Sequence, residues 1–269
     1  KNMVIGIFDS GLGGLSVWRE LRKIISGQFI YFGDTAHVPY GEKSPAELRS
    51  YFQQILRFLT EKQCTSVVVA CNTSSVVVLP HVKEQIKIPL YGVVEAALGA
   101  SLEVCKGRMG IIATKATVES GVYQTEFKRL KPDWDITAQS APRLVRLVEK
   151  GSTNTAEAEE ALAEYLEPLK AKNIDTLLLG CTHYPFLIEQ IKAIMGPDVE
   201  IVDPAFRLAS QVKKSVLMGK NDDYQPQSKT EFWVSAHPEQ FKQNAEKLLN
   251  EQIPPVGLHQ ILGERTECE

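Results

Sequence analysis

Two cysteines stand in the same local frame. Val67-Val68-Val69-Ala70-Cys71-Asn72-Thr73 and Leu177-Leu178-Leu179-Gly180-Cys181-Thr182-His183 are each a short apolar run, a small residue, a cysteine and two polar residues. A free thiol titrates near pH 8.5, so with a helper it can give or take a proton at neutral pH. Two thiols in matching places suggest a pair of acid/base groups facing one substrate. Taken alone, Cys71 also fits a small buried core residue. A second cysteine with titratable neighbours weakens that reading.

Asp9 closes the run Val4-Ile5-Gly6-Ile7-Phe8 and can lie beside Cys71 on a neighbouring strand. His183 follows Cys181 by two residues, and histidine is the side chain best suited to proton exchange near pH 7. Each has a plainer reading as well. Asp9 suits a turn or helix cap before Ser10-Gly11, and His183 suits a buried ring bonded to backbone. The turn Asp9-Ser10-Gly11-Leu12-Gly13-Gly14 matches neither a Walker loop nor GxGxxG. A glycine-rich strand-to-helix turn still offers N–H groups that would hold a carboxylate or a phosphate. Tyr40-Gly41, Asn72-Thr73 and Thr182-His183 add neutral donors. His37, His81 and His183 are scattered, without HExxH or an acidic cluster, so no metal is expected; no lysine stands in a convincing cofactor-binding frame, and a Schiff-base lysine stays open.

The elements that must position these residues alternate. Strands are predicted at 3–8, 29–32, 67–70, 90–94, 109–113, 135–138, 176–180, 199–202 and 231–235. Helices are predicted at 15–25, 47–63, 75–85, 95–105, 118–130, 143–149, 155–172, 185–195, 205–218 and 239–248. Residues 35–44 and 220–228 read as loops, with Ser44 as cap and Pro45 in the first turn of the helix that follows. Alternation of this kind implies parallel sheets built from βαβ units, with ligands bound where strands end. The interval from Gly6 to Cys71 is 65 residues and from Gly110 to Cys181 71. A duplicated unit explains both order and spacing. The expected fold is therefore α/β: two similar, pseudo-symmetric units with parallel sheets and an active site in the cleft between them. Residues 1–95 plus 206–269 make the first domain, with Asp9 and Cys71. Residues 96–205 make the second, with Cys181 and His183.

The 269 residues suffice for one large or two ordinary domains. With 30 Lys and Arg against 33 Asp and Glu, the net charge of −3 argues against a nucleic-acid binder. No apolar stretch is long enough to span a membrane, and the opening Lys1-Asn2 is not expected to belong to a signal segment. The five cysteines, Cys64, Cys71, Cys105, Cys181 and Cys268, are odd in number and lack CxxC spacing. That argues against a disulfide framework or a zinc ribbon and for a reducing compartment. Cys64 and Cys105 read as small buried hydrophobes and Cys268 as part of a frayed tail. A cytoplasmic protein is expected.

Asp9-Ser10-Gly11-Leu12-Gly13-Gly14, Pro39-Tyr40-Gly41, Ala70-Cys71-Asn72-Thr73, Gly180-Cys181-Thr182-His183-Tyr184-Pro185 and Val202-Asp203-Pro204-Ala205 together resemble the glutamate branch of the aspartate/glutamate racemases. The motifs occur in the family's order and span most of the chain. The resemblance implies a cofactor-independent, two-base racemase that supplies D-glutamate for peptidoglycan. Cys71 would act on D-glutamate and Cys181 on L-glutamate. Asp9 would assist Cys71 and His183 would assist Cys181, with Glu149, in the second domain, as a further acidic helper. Ser10, Tyr40, Gly41, Asn72, Thr73, Thr182 and His183 match substrate-binding positions, and Asp9, Thr114 and Thr117 are further candidates. A homodimer is expected. The segment before Glu149 departs from the family: Arg143 and Arg146 bring charge where it is usually apolar. One arginine could pair with Glu149, or both could face solvent. A racemase of aspartate or another small acid, and a non-catalytic binding protein of the same fold, are the alternatives. Intact Cys71 and Cys181 argue against the second.

Overall fold

A computed structural model of the chain describes residues 3–218 and 228–263. The expected loop 220–228, apart from Ser228, and Cys268 lie outside the described residues. In the first part of the chain β1 (Val4–Asp9), β2 (Gln28–Gly33), β3 (Ser66–Val69) and β4 (Leu90–Gly92) alternate with α1 (Leu15–Ile24), α2 (Pro45–Glu61), α3 (Asn72–Val77) and α4 (Leu79–Val82). Helix α5 (Val94–Val104) then leads to a second set. That set holds β5 (Arg108–Ala113), α6 (Lys115–Ser120), α7 (Val122–Leu130), β6 (Asp135–Ser140), α8 (Pro142–Glu149), α9 (Ala156–Ala171), β7 (Thr176–Gly180), α10 (Ile188–Met195) and β8 (Glu200–Val202). Helix α11 (Ala205–Val216), β9 (Lys229–Val234), α12 (Pro238–Leu249) and β10 (Val256–Leu258) follow. Helix α11 packs on α1 and α5, and β9 joins β2, so this last stretch lies against the first set.

The two sheets are parallel throughout, ordered β4-β3-β1-β2-β9-β10 and β8-β7-β5-β6. The order β2-β1-β3-β4 in one recurs as β6-β5-β7-β8 in the other, which is the duplication that the two cysteine frames imply. Every residue of β1, β3 and β7 is buried, as apolar strands covered on both faces must be. Their alternating side chains feed separate cores. Ile5, Ile7 and Val68 join one cluster, and Val4, Phe8, Val67 and Val69 the cluster on the opposite face. Leu177 and Leu179 face one core of the second sheet and Leu178 the other. Each such aliphatic side chain contributes roughly 1.5–3 kcal/mol relative to exposure.

Several boundaries differ from the sequence reading. The helix expected at 75–85 begins at Asn72, directly after the cysteine. It breaks into α3, α4 and a short 3-10 turn, with Pro80 in the first turn of α4. The helix expected at 118–130 divides at Gly121, whose φ of +66° a residue with a side chain rarely adopts. A 3-10 turn at Tyr184–Leu187 precedes α10, and β10 was not expected at all. The cap of α2 follows the expectation: Ser44 Oγ accepts from Glu47 N, Glu47 returns a carboxylate to Ser44 N, and Pro45 opens the helix. This fixes the exit of the Pro39-Tyr40-Gly41 loop.

Candidate active site

The C-terminal ends of the two sheets face one another. Cys71 leaves β3 and opens α3, while Cys181 leaves β7. Both line one cavity. The first set supplies Ser10, Tyr40, Gly41, Cys71, Asn72 and Thr73, and the second Thr114, Val145, Cys181, Thr182 and His183. The enclosed space is about 10 Å³, room for about one water. A larger surface cavity of about 620 Å³ runs past Leu79, Tyr91, Glu95 and Leu208 but contains neither thiol, so size does not locate the chemistry. Asp9, Glu149 and Thr117 stand behind the cavity wall, each bonded to a residue that forms it. Thr117 donates its N–H to Thr114, the cap of α6.

The wall is stitched across the cleft. Thr73 Oγ1 meets Thr114 Oγ1 at 2.9 Å, and Tyr123 donates to Asn72 Oδ1 at 2.6 Å. Thr182 donates to Asp9 Oδ1 at 3.0 Å, and Ser16 donates to the Thr182 carbonyl at 3.1 Å. Leu12 N donates to Glu149 Oε1 at 2.7 Å. The glycine-rich turn therefore holds carboxylates, but they are the protein's own: Gly11 N binds Asp9 and Leu12 N binds Glu149. Asp9 takes the turn role, with Oδ2 accepting from Gly11 N, and it also accepts from the N–H of Gly14 at the start of α1.

Glu149 pairs with His183 rather than with an arginine. Glu149 Oε1 lies 2.6 Å from His183 Nε2, and His183 Nδ1 lies 3.6 Å from Cys181 Sγ. Arg143 pairs with Glu164, and Arg146 with Glu42, both at the surface. Burial alone would depress the His183 pKa. The hydrogen bonds and charges of Cys181 and Glu149 outweigh it and hold the ring well above its usual value. Cys71 is pushed up to about 12, by burial first and the Asp9 charge second, against the N–H and hydroxyl of Ser74. It is therefore a neutral thiol at pH 7. Burial also raises Asp9, opposed by the His183 charge, the Gly11 and Gly14 N–H groups and the Thr182 hydroxyl.

Three participants were not anticipated. Val145 lines the cavity from α8. Tyr123 orients Asn72. Buried Asp34 accepts from Tyr40, His37 and Ser235, anchoring the Tyr40-Gly41 loop. Only Asp34 had a legible signal: it follows β2 as Asp9 ends β1. Among the described residues, Cys64 is buried in the first set, Cys105 is half-buried, and no helix is long and apolar enough to cross a membrane.

The family model for Asp/Glu/hydantoin racemases matches residues 5–212. A glutamate racemase of Desulforudis audaxviator (strain MP104C) is 42% identical over 261 residues, covering 94% of this chain and 96% of its own. Isoform RacE1 of glutamate racemase from Bacillus anthracis superposes with a TM-score of 0.89 at 32% identity, covering 97% of this chain and 99% of that one. The glutamate racemase of Francisella tularensis, solved with D-glutamate, gives 0.86 at 31% identity, covering 97% and 98%.

Proposed function

The chain belongs to the Asp/Glu/hydantoin racemase family, and from that premise we propose that it interconverts L- and D-glutamate with two cysteines as its two bases. One observation carries the mechanism: two thiols, delivered by β3 and β7, equivalent strands in the order that the two sheets share, line the same cavity. His183 draws the proton from Cys181, and Glu149 supports the imidazolium through Nε2. The Cys181 thiolate removes the α-proton of L-glutamate. The electron pair spreads into the α-carboxylate, held by donors that are already in place. Cys71, neutral at rest, gives its proton to the opposite face. The product is D-glutamate, with Cys71 left as thiolate and Cys181 as thiol. Asp9 serves Cys71 when the reaction runs the other way.

Ser10, Tyr40, Gly41, Asn72, Thr73, Thr182 and His183 bind substrate from the cavity wall, with Thr114 beside Thr73. Asp9 and Thr117 act through them. The cavity is too small for glutamate, so the halves must part to admit it. These halves are residues 1–95 plus 206–269 and residues 96–205. The enzyme needs no cofactor, works as a homodimer in the cytoplasm and supplies D-glutamate for peptidoglycan.

The test is circular dichroism of the protein with each enantiomer of glutamate and of aspartate, before and after chelation. Glutamate should lose its optical signal from both sides and aspartate should not. Cys71→Ala and Cys181→Ala should each abolish racemisation. With an analogue carrying a β-leaving group, Cys181→Ala should keep D-directed elimination and Cys71→Ala the L-directed one. Racemisation surviving in either variant would overturn the two-base reading.

A further inference from the structure

We propose that Thr182 is a positioning residue whose hydroxyl, carried by one half of the molecule, holds the Asp9 carboxylate on the other, so that closing the cleft completes the acid–base partner of Cys71. The inference rests on the role given to Asp9 above. Asp9 is fully buried, and a buried carboxylate ionises only where positive charge or donors meet it, here the His183 ring, the Gly11 and Gly14 N–H groups and the Thr182 hydroxyl. Oδ2 takes the Gly11 N–H from its own turn, while Oδ1 takes the Thr182 hydroxyl at 3.0 Å from across the cleft. Thr182 is itself fixed against the first half. Its carbonyl shares the Ser16 hydroxyl with the Gly13 carbonyl, at 3.1 Å and 2.8 Å, and its own hydroxyl packs where a Cβ on Gly13 would come within 2.3 Å. An open cleft separates the pair and leaves Asp9 with local donors alone.

A hydroxyl has one hydrogen to donate and two lone pairs to accept with. Donation to Asp9 leaves Thr182 able to accept from the substrate ammonium at the cavity wall. The two roles can coexist. The arrangement is reciprocal, because Glu149 on the second half is held by Leu12 N on the first. Each thiol's assisting acid is thus anchored by the opposite half.

Thr182→Val keeps the shape and the backbone N–H but removes the donor, and Thr182→Ser restores it. Loss of a hydrogen bond to a charged group should lower kcat/KM by on the order of 10- to 100-fold at pH 7. It should also move the acid limb of the pH profile upward by about one unit or more, because Asp9 then ionises less readily. In an Asp9→Asn background, Thr182→Val should lower kcat no further and move no acid limb, leaving only the KM cost of the lost ammonium contact. Thr182→Ser should recover both the rate and the limb, which separates a lost donor from a lost fold. A further loss of kcat from Thr182→Val in the Asp9→Asn background, or a change in KM with an unmoved acid limb in the single variant, would overturn the inference while leaving racemisation intact. An Asp9→Asn variant with full activity would instead overturn the role given to Asp9.

Discussion

Cys181, His183 and Glu149 form one chain of contacts in which the middle member sets the charge. The raised His183 pKa means that the folded protein binds that proton more tightly than the unfolded chain does. Its stabilisation is fully present below the unfolded value, about 6.5, and is lost as pH rises through the folded value above it. The stability lost in His183→Asn should therefore be largest near pH 6 and shrink toward alkaline pH, read as paired melting temperatures. A constant difference from pH 6 to pH 9 would mean a neutral ring. At this scale the sequence was legible where chemistry and neighbours share a segment, as in Cys181-Thr182-His183. It was opaque where a partner comes from afar. Leu12 and Glu149 lie 137 residues apart, and nothing local says that a backbone N–H, not Arg143 or Arg146, holds that carboxylate.

The turn between β1 and α1 does its work by lacking side chains. A Cβ on Gly13 would sit 2.3 Å from Thr182 Oγ1 and 2.5 Å from His183 Nδ1, so the second half could not approach as it does. Gly13→Ala should cost about 1–3 kcal/mol in urea unfolding and lower kcat at least tenfold, since it displaces two site residues at once. Gly196→Ala is the control. Its φ of +84° makes alanine strained, but open space surrounds it, so about 1 kcal/mol of stability should go with kcat unchanged. Full activity in Gly13→Ala would show that the turn does not set the closed geometry. The capped α2 and the buried strands β1, β3 and β7 could be read from local pattern because capping and burial leave marks in sequence. The break after Val77 and the edge strand β10 could not. Three residues, Val256-Gly257-Leu258, become a strand only because β9 is there to pair with them, and pairing over such distances has no local signature.

The whole molecule is two copies of one strand order closed upon each other, and the closure decides what reaches the thiols. Cys71 and Cys181 are 4% and 5% exposed, too little for an alkylating reagent to enter without separation of the halves. Cross-cleft bonds from Thr182 to Asp9, Leu12 to Glu149, Tyr123 to Asn72 and Thr73 to Thr114 must break for that to happen. A ligand that favours the closed state shifts this equilibrium only by its differential affinity for the two states. A substrate held by donors from both halves has such a preference. Saturating D-glutamate should therefore slow iodoacetamide labelling of Cys71 and Cys181 together, by about tenfold or more if its preference for the closed state exceeds roughly 1.4 kcal/mol. Cys105, partly buried and outside the cavity lining, should label at the same rate with and without ligand. Peptide mapping by mass spectrometry reads all three sites in one sample. Protection of one active-site thiol but not the other would mean that the halves open unequally around two separate paths, and the picture of a single hinged cleft would fail.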